Sequence, residues 1–526
     1  MLYSYLGFFG FTFLVLFYTS YKLRKVKLDT SNGYFFAGKS LTAPVIAGSM
    51  LLTNISTEHL IGMNGSSYKN GIIVIAWEVT SAIALVIAAI YIIPRFMKMK
   101  LTTIPEFLEK RFDSSIRSIV AFLLMSSFVV TLLPIILYSG AINIESIFDF
   151  STVFSISKEQ SLIFTVLAIG IMGSAYSIFG GLKAIAFSDS LNGIGLMLGG
   201  LLVPVIALYQ IGKGNIFDGV SSIYHFAPRK FDIIGSEDSI LPFSTLFTGL
   251  MINQIYFWGM NQTIIQRAFG AKNLVEAQKG LIITGVFKLL MPLIIVLPGL
   301  IGFYYFQDEY YSKPDLIYPL LVKKVLPTYL YGFFAAVILG AVLSTFNSIL
   351  NSASTIFCID IYKKTFNKNA TDEKLAKYGK ISSAILAVLA ISVAPFMAYA
   401  PSGLYFLLQQ LNGIFFIPIS SILVAGLFFK QINTVGAKAG LFFGFVFYIL
   451  TSFVFKLNIH FIHLWGIEFV LNFIIMLVVS KLYTSSQSNT QYEEELSKNY
   501  EKSWSGMNLA GTILVFTTIL IYIILS

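Results

Sequence analysis

Apolar runs close to 20 residues long recur from one end of this 526-residue chain to the other. Each is long enough to cross a bilayer as a helix. The runs are continuous rather than alternating in polarity, so a membrane-spanning β-barrel does not fit them. They predict fourteen spans, at about 3–21, 41–64, 71–94, 118–147, 161–179, 184–211, 242–264, 281–305, 328–359, 381–400, 402–429, 439–455, 459–480 and 507–525. The longest polar segments, about 212–240, 306–327 and 481–506, are too small for a soluble catalytic or receptor domain. The stretch PEFLEKRF at 105–112 reads as an amphipathic helix lying in the membrane interface. The expected fold class is an all-α integral membrane protein.

Composition agrees: 56% of residues are hydrophobic and only 12% charged, about half the charged share of soluble domains. The formal net charge of +10 would suit a nucleic-acid partner, but its distribution argues otherwise. With the N-terminus outside, 26 of the 36 Lys and Arg fall in inner loops, nine in outer loops and one within a span. Basic loops stay cytoplasmic, so the charge is a topology signal and both termini are expected outside the cell membrane. The first run is not a cleaved signal: it lacks a basic start and is followed by Lys22, Arg24, Lys25 and Lys27. The segment 485–505, with Glu493, Glu494 and Glu495, reads as a solvated linker to a last, detached helix. One cysteine, Cys358, excludes an internal disulfide framework or a Cys-based metal site. The bilayer is the one partner that composition demands, and no obligate protein partner is evident.

Charged groups inside spans are few, and each costs about 2.5–3.5 kcal/mol to insert. Lys288 is the one basic residue predicted inside a span; Glu78, Glu58, His59 and Asp189 join it in others, and Glu468 has no evident role. Two readings stand for Glu78 and Lys288: a structural ion pair, or part of a midplane pocket. Carboxylate, ammonium, imidazole and amide groups together suit a polyhydroxyl ligand, which both donates and accepts hydrogen bonds. The second span runs PVIAGSMLLTNISTEHLIGMNG, with a polar centre that competes for helix hydrogen bonds. A helix broken there exposes carbonyls able to ligate sodium. The ninth span, GAVLSTFNSILNSAS, offers hydroxyls at Ser344 and Thr345 as a counterpart.

Longer stretches carry a resemblance: GYFFAGKSL at 33–41, LLTNISTEHLIGMNGSSY at 51–68, TIPEFLEKRF at 103–112 and YSIFGGLKAIAFSD at 176–189. YFWGMNQTIIQRAFGAKNLVEAQKG at 256–280, NSASTIFCIDIYKK at 351–364 and the pair Gln409–Gln410 extend it. In this order, over nearly the whole chain, they resemble the sodium/solute symporter family. Within it, the sodium–glucose cotransporter branch is most similar, above all its bacterial sodium–galactose carriers. The resemblance implies a five-helix inverted-repeat (LeuT-like) core at 41–430, after an extra helix and inner loop at 1–40. Residues 431–526 would be peripheral helices with a cytoplasmic linker at about 481–506.

Carried over residue by residue, the resemblance implies a sugar site of His59, Glu78, Ser81, Gln254, Lys288 and Gln409. Phe257, with Trp258 beside it, would close the inner side, and Met63, Trp77 and Tyr405 the outer side. Sodium would bind the carbonyls of Leu52, Ile55 and Ala341 and the hydroxyls of Ser344 and Thr345, leaving past Asp189. The chain departs from the bacterial galactose carriers at His59 for Gln, Gln254 for Asn and Trp77 for Tyr. Phe257 stands for the usual Tyr and lacks a hydroxyl to offer Asn54. The expected function is sodium-driven import of a galactose- or glucose-like sugar by alternating access. Alternatives are a sodium-coupled carrier of myo-inositol, sialic acid or proline, and a non-transporting sugar sensor. An anion would call for an added pocket Arg, and none is predicted in a span. An enzyme would need a nucleophile–base pair or metal cluster that these residues do not offer.

Overall fold

A computed structural model describes residues 2–23, 29–399, 404–483 and 502–526. Among these no strand forms, and an isolated bridge joins Leu41 to Ala271. Arg24, Lys25, Lys27 and most of the acidic linker, including Glu493–Glu495, lie outside the described residues.

Among the described residues ten helices are long and apolar enough to cross a membrane, or eleven when the bent pair Leu274–Leu290 and Pro292–Phe306 counts as one span. The fourteen predicted stretches all fall on helical segments, and the difference in number comes from breaks and fusions. The second stretch is split: Ala43–Asn54 is only 12 residues long, and the chain resumes as His59–Lys98, which absorbs the third stretch. The fifth and sixth merge in Lys158–Ile211, a run of 54 residues. As one rod that run would be ~80 Å long, far beyond the ~30 Å hydrocarbon core. Gly181 divides it at φ 55°, ψ −168°. A Cβ there would sit 2.6 Å from the Tyr34 carbonyl oxygen, so glycine is required by both conformation and space. The seventh stretch is broken into short helices, Phe243–Phe247, Gly249–Gly259 and the start of Gln262–Phe269.

Burial separates core from rim. The apolar window of His59–Lys98 and that of Thr328–Phe366 are each 89% buried in protein, against 11% for Tyr5–Leu23 and 17% for Met507–Leu525. The two rim helices turn Phe9, Phe13, Phe17, Phe516 and Ile523 outward, the apolar surface of a membrane-facing helix. Near the C-terminal end, Phe461–Leu482 packs against Thr434–Ile449, and Glu468 is buried there beside Asn472 and Gly444.

Polar caps set the ends of several helices. Asp113 accepts from Ile116 N at 2.8 Å, and Asn273 from Glu276 N at 2.9 Å, filling donors that helix starts leave open. The expected amphipathic helix forms as Ile104–Arg111, and its apolar side chains Ile104, Phe107 and Leu108 are buried in protein. Its Arg111 donates to the carbonyls of Gly426, Phe429 and Ile432 at 3.0–3.1 Å, capping the end of Leu404–Phe428. The loops predicted to share a side do touch. On one side Lys364 meets Glu109 at 2.8 Å, Lys438 meets Asp113 at 2.6 Å and Ala43 N meets Glu276 at 2.6 Å. On the other, Lys230 reaches the Tyr68 carbonyl at 2.9 Å and His460 the Ile240 carbonyl at 3.0 Å.

Candidate functional site

The break in the second span falls at Ile55 and Ser56, inside the polar TNISTEH stretch. Asn54 ends the first half, Ile55 is extended (φ −89°, ψ 102°), and Ser56 bends. The second half restarts when the His59 and Leu60 N–H groups both donate to the Ser56 carbonyl, at 3.1 and 3.2 Å. The Ser56 hydroxyl bonds the Glu58 carboxylate, so local side chains replace the helix ladder here. A π-helical turn at His59–Met63 follows at once. At Gly62 in that turn a Cβ would lie 2.6 Å from the Cβ of Tyr405, so glycine lets Leu404–Phe428 approach the broken span closely.

Beside the break lies a cavity of about 70 Å³. Five of the six predicted sugar-site residues line it: His59, Glu78, Gln254, Lys288 and Gln409. Lys288 Nζ pairs with Glu78, donates to Asn54 Oδ1 at 2.7 Å, and sits 5.3 Å from the Trp258 ring centroid. Both charged side chains are no more than 2% exposed. Asn54 therefore bonds the ammonium, so the hydroxyl missing from Phe257 leaves it with a partner. Gln254 donates to the Trp77 carbonyl at 2.7 Å and accepts from Trp258 Nε1 at 3.1 Å. Gln409 donates to the Tyr405 hydroxyl at 3.0 Å.

Four predicted gate residues, Trp77, Tyr405, Phe257 and Trp258, also face the cavity. Tyr405 meets His59 and Trp77 edge-on, at centroid distances of 5.2 and 5.9 Å. Two of the expected residues lie outside the lining. Ser81 gives its hydroxyl to the Glu78 carbonyl one turn back and is absent from the lining. Met63 is buried at the end of the π-turn and does not reach the cavity either. Asn253 and Asn412, not singled out from the sequence, do line it, and the side-chain oxygen of each has no hydrogen-bond partner. Their signal was faint: each is one uncharged amide in an apolar run. The volume is well below the ~300 Å³ of ordinary ligand pockets, so side chains or helices must part to admit a solute.

The expected sodium positions come together in part. Thr345 Oγ1 donates to the Leu52 carbonyl at 2.9 Å and to the Ala341 carbonyl at 3.3 Å, linking the ninth predicted span to the first half of the broken one. Thr53 and Ser348 hydroxyls meet at 2.9 Å across the same seam. Ser344 is buried, makes no hydrogen bond of ordinary geometry, and lies within electrostatic reach of Asp189. Ile55 sits at the break, its N–H on the Leu51 carbonyl at 2.7 Å.

Asp189 is fully buried and accepts from Ser49 at 2.7 Å, while Arg267 Nε donates to the same Ser49 hydroxyl at 3.1 Å. This corrects the placement of Arg267 in an inner loop. It belongs to the helix Gln262–Phe269, is fully buried, and also bonds Ser348 and the Thr263 carbonyl. Arg95 and Arg117 are likewise helical, each near one end of a membrane-length helix. Sequence hydropathy cannot see this, because helix packing buries loop-like residues near span ends.

Comparison with known proteins yields a consistent set. The profile of the Sodium:solute symporter family matches residues 34–444. An uncharacterized symporter of Escherichia coli (strain K12), YidK, is 41% identical over 98% of this chain and 90% of its own length. The sodium/glucose cotransporter of Vibrio parahaemolyticus is 32% identical over 79% of this chain and 78% of its own. The human sodium/myo-inositol cotransporter is 30% identical over 80% of this chain and 63% of its own. Among solved structures, a substrate-bound, outward-open sodium-coupled sialic acid symporter superposes with a TM-score of 0.76 at 19% identity. That superposition covers 92% of this chain and 99% of the other, and places the fold among LeuT-like sodium symporters. A matched family profile, relatives at this identity and a broken helix facing a buried polar cavity agree: the chain is a multi-pass membrane transporter belonging to the sodium:solute symporter family.

Proposed function

We propose that this symporter couples inward sodium flow to the uptake of a monosaccharide of the galactose or glucose type. The observation that supports it most is the composition of the cavity beside the break. It holds a carboxylate, an ammonium, an imidazole and several amides, flanked by Phe257, Trp258 and Tyr405. A sugar ring offers hydroxyls to the first group and an apolar face to the second. In this reading Glu78 accepts from sugar hydroxyls, Lys288, Gln254 and Gln409 donate, and His59 does either. Asn253 and Asn412 add acceptors. Phe257 and Trp258 form the inner closure, Trp77 and Tyr405 the outer one.

Sodium is the coupling ion of the family. We place it at the seam where Thr345 meets the carbonyls of Leu52 and Ala341, with Ser344 and the Ile55 carbonyl completing a neutral set of hard oxygens. Bound there, the ion would tie the broken helix to the ninth predicted span and complete the sugar pocket. Asp189 would receive it on the way out. The ligands act by favouring one state over another through differential affinity. In this scheme 41–430 form the moving core, 431–526 are peripheral, and both termini lie outside the cell membrane.

The test is uptake into proteoliposomes of labelled galactose, glucose, fucose, mannose and myo-inositol, with sialic acid and proline as controls, with and without an inward sodium gradient. Sodium-dependent accumulation of a monosaccharide is expected. Accumulation of myo-inositol alone would keep the donor–acceptor pocket and move the substrate to a cyclic polyol. Accumulation of only a control solute would overturn the sugar pocket, and binding without accumulation would favour a sensor.

A further inference from the structure

A second cleft, of about 600 Å³, lies where two membrane-length helices end. Ser114 opens the helical run Ser114–Phe148 and Phe366 closes Thr328–Phe366, so the cleft stands where two membrane-length helices end. Its lining includes Glu109, Ser114, Arg117, Lys363, Lys364 and Lys368.

Charge pairing in the cleft is lopsided. Arg117 is held by Glu109 and by the buried Asp360, and Lys364 meets Glu109 at 2.8 Å. Two anions thus meet two cations, while Lys363 and Lys368 have no anionic partner among the described residues. A cleft with two uncompensated positive charges suits a ligand of one to two negative charges, the range of a phosphate group. Next to the lysines, Phe366 is 72% exposed at the span's end, an apolar surface for the chain of a lipid.

We propose that this cleft binds a phosphate-bearing anion, either the headgroup of an anionic lipid or free phosphate, through Lys363 and Lys368. The site is separate from the solute cavity, shares no lining residue with it, and does not depend on which solute is carried. Basic pockets at the ends of transmembrane helices hold such headgroups by point-charge attraction of about 1 kcal/mol per lysine.

The experiment is isothermal titration of the detergent-purified full chain with short-chain phosphatidic acid, phosphatidylglycerol and phosphatidylcholine, and separately with inorganic phosphate. Saturable binding of the two anionic lipids but not phosphatidylcholine is expected. The Lys363→Gln/Lys368→Gln protein should bind them roughly thirtyfold more weakly, the joint share of two lysines, and a Lys363→Arg/Lys368→Arg protein should retain binding. Inorganic phosphate binding with the same dependence on the two lysines would assign the site to the free ion. No binding of any anion, or binding unchanged in the double Gln protein, would overturn the proposal. Both variants alter side chains at the surface, and a monodisperse elution profile checks that each folds.

Discussion

Lys288 and Glu78 are the most exacting test of the solute cavity. Both are buried, paired with each other, and tied through Lys288 to Asn54. Replacing Lys288 with Met leaves the Glu78 carboxylate without a cation in a low-dielectric site. Breaking a buried pair in this way costs about 3–5 kcal/mol, so the single variant should melt well below the parent protein. Adding Glu78→Gln removes the stranded charge and keeps the shape, which should restore most of that stability. Transport should not recover. Loss of a charged donor to a bound hydroxyl costs about 1.5–3 kcal/mol, or roughly 10- to 150-fold in the solute concentration for half-maximal uptake. The assay compares melting in detergent with initial uptake rates in proteoliposomes for both single variants and the double variant. A double variant that is stable and transports normally would make the pair purely structural. A Lys288→Met protein as stable as the parent would contradict the buried pairing itself.

Three further outcomes follow from other parts of the structure. Thr345→Val removes the hydroxyl that spans the Leu52 and Ala341 carbonyls, and should raise the sodium concentration for half-maximal uptake about tenfold or more. Sodium titration at saturating solute checks it, and an unchanged sodium dependence would remove Thr345 from the ion site. Gly181→Ala places a side chain at φ 55° and 2.6 Å from a backbone oxygen, so folded yield after purification should collapse; normal yield would deny that the turn between the fused helices is fixed there. Burial pushes the Glu109 carboxyl up, but hydrogen bonds and attraction from Lys364 and Arg117 outweigh it and hold its pKa below the ordinary value. A depressed acid contributes stability above its unfolded pKa, near 4.3, and loses it as pH falls through the folded value. Lys364→Gln should therefore flatten the fall in melting temperature between about pH 5 and 3, and an identical pH profile would show that the pair contributes nothing.

Much of the site was legible because charge is expensive inside a bilayer. Glu78, Lys288 and His59 stand out in apolar runs, and the fold brings all three to one cavity. The broken span was legible for a related reason, since TNISTEH supplies side chains that compete with the helix ladder. Asn253 and Asn412 were not, because one neutral amide in an apolar run is as common in helix packing as in a pocket. Ser81 is absent from the lining, and its hydroxyl folds back on its own helix.

The sequence by itself determined that the chain spans a membrane many times as helices, and where the second span would break, because both follow from local hydropathy and local hydrogen-bond competition. Tertiary structure decided what these terms cannot reach. Packing buried Arg267 against Ser49 and near Asp189, turned the apolar face of PEFLEKRF into protein with its Arg111 capping a distant helix, and bonded Asn54 to Lys288 across 234 residues. Each of these depends on which helices meet and at what height, and non-local contact of that kind leaves no periodic trace along the chain.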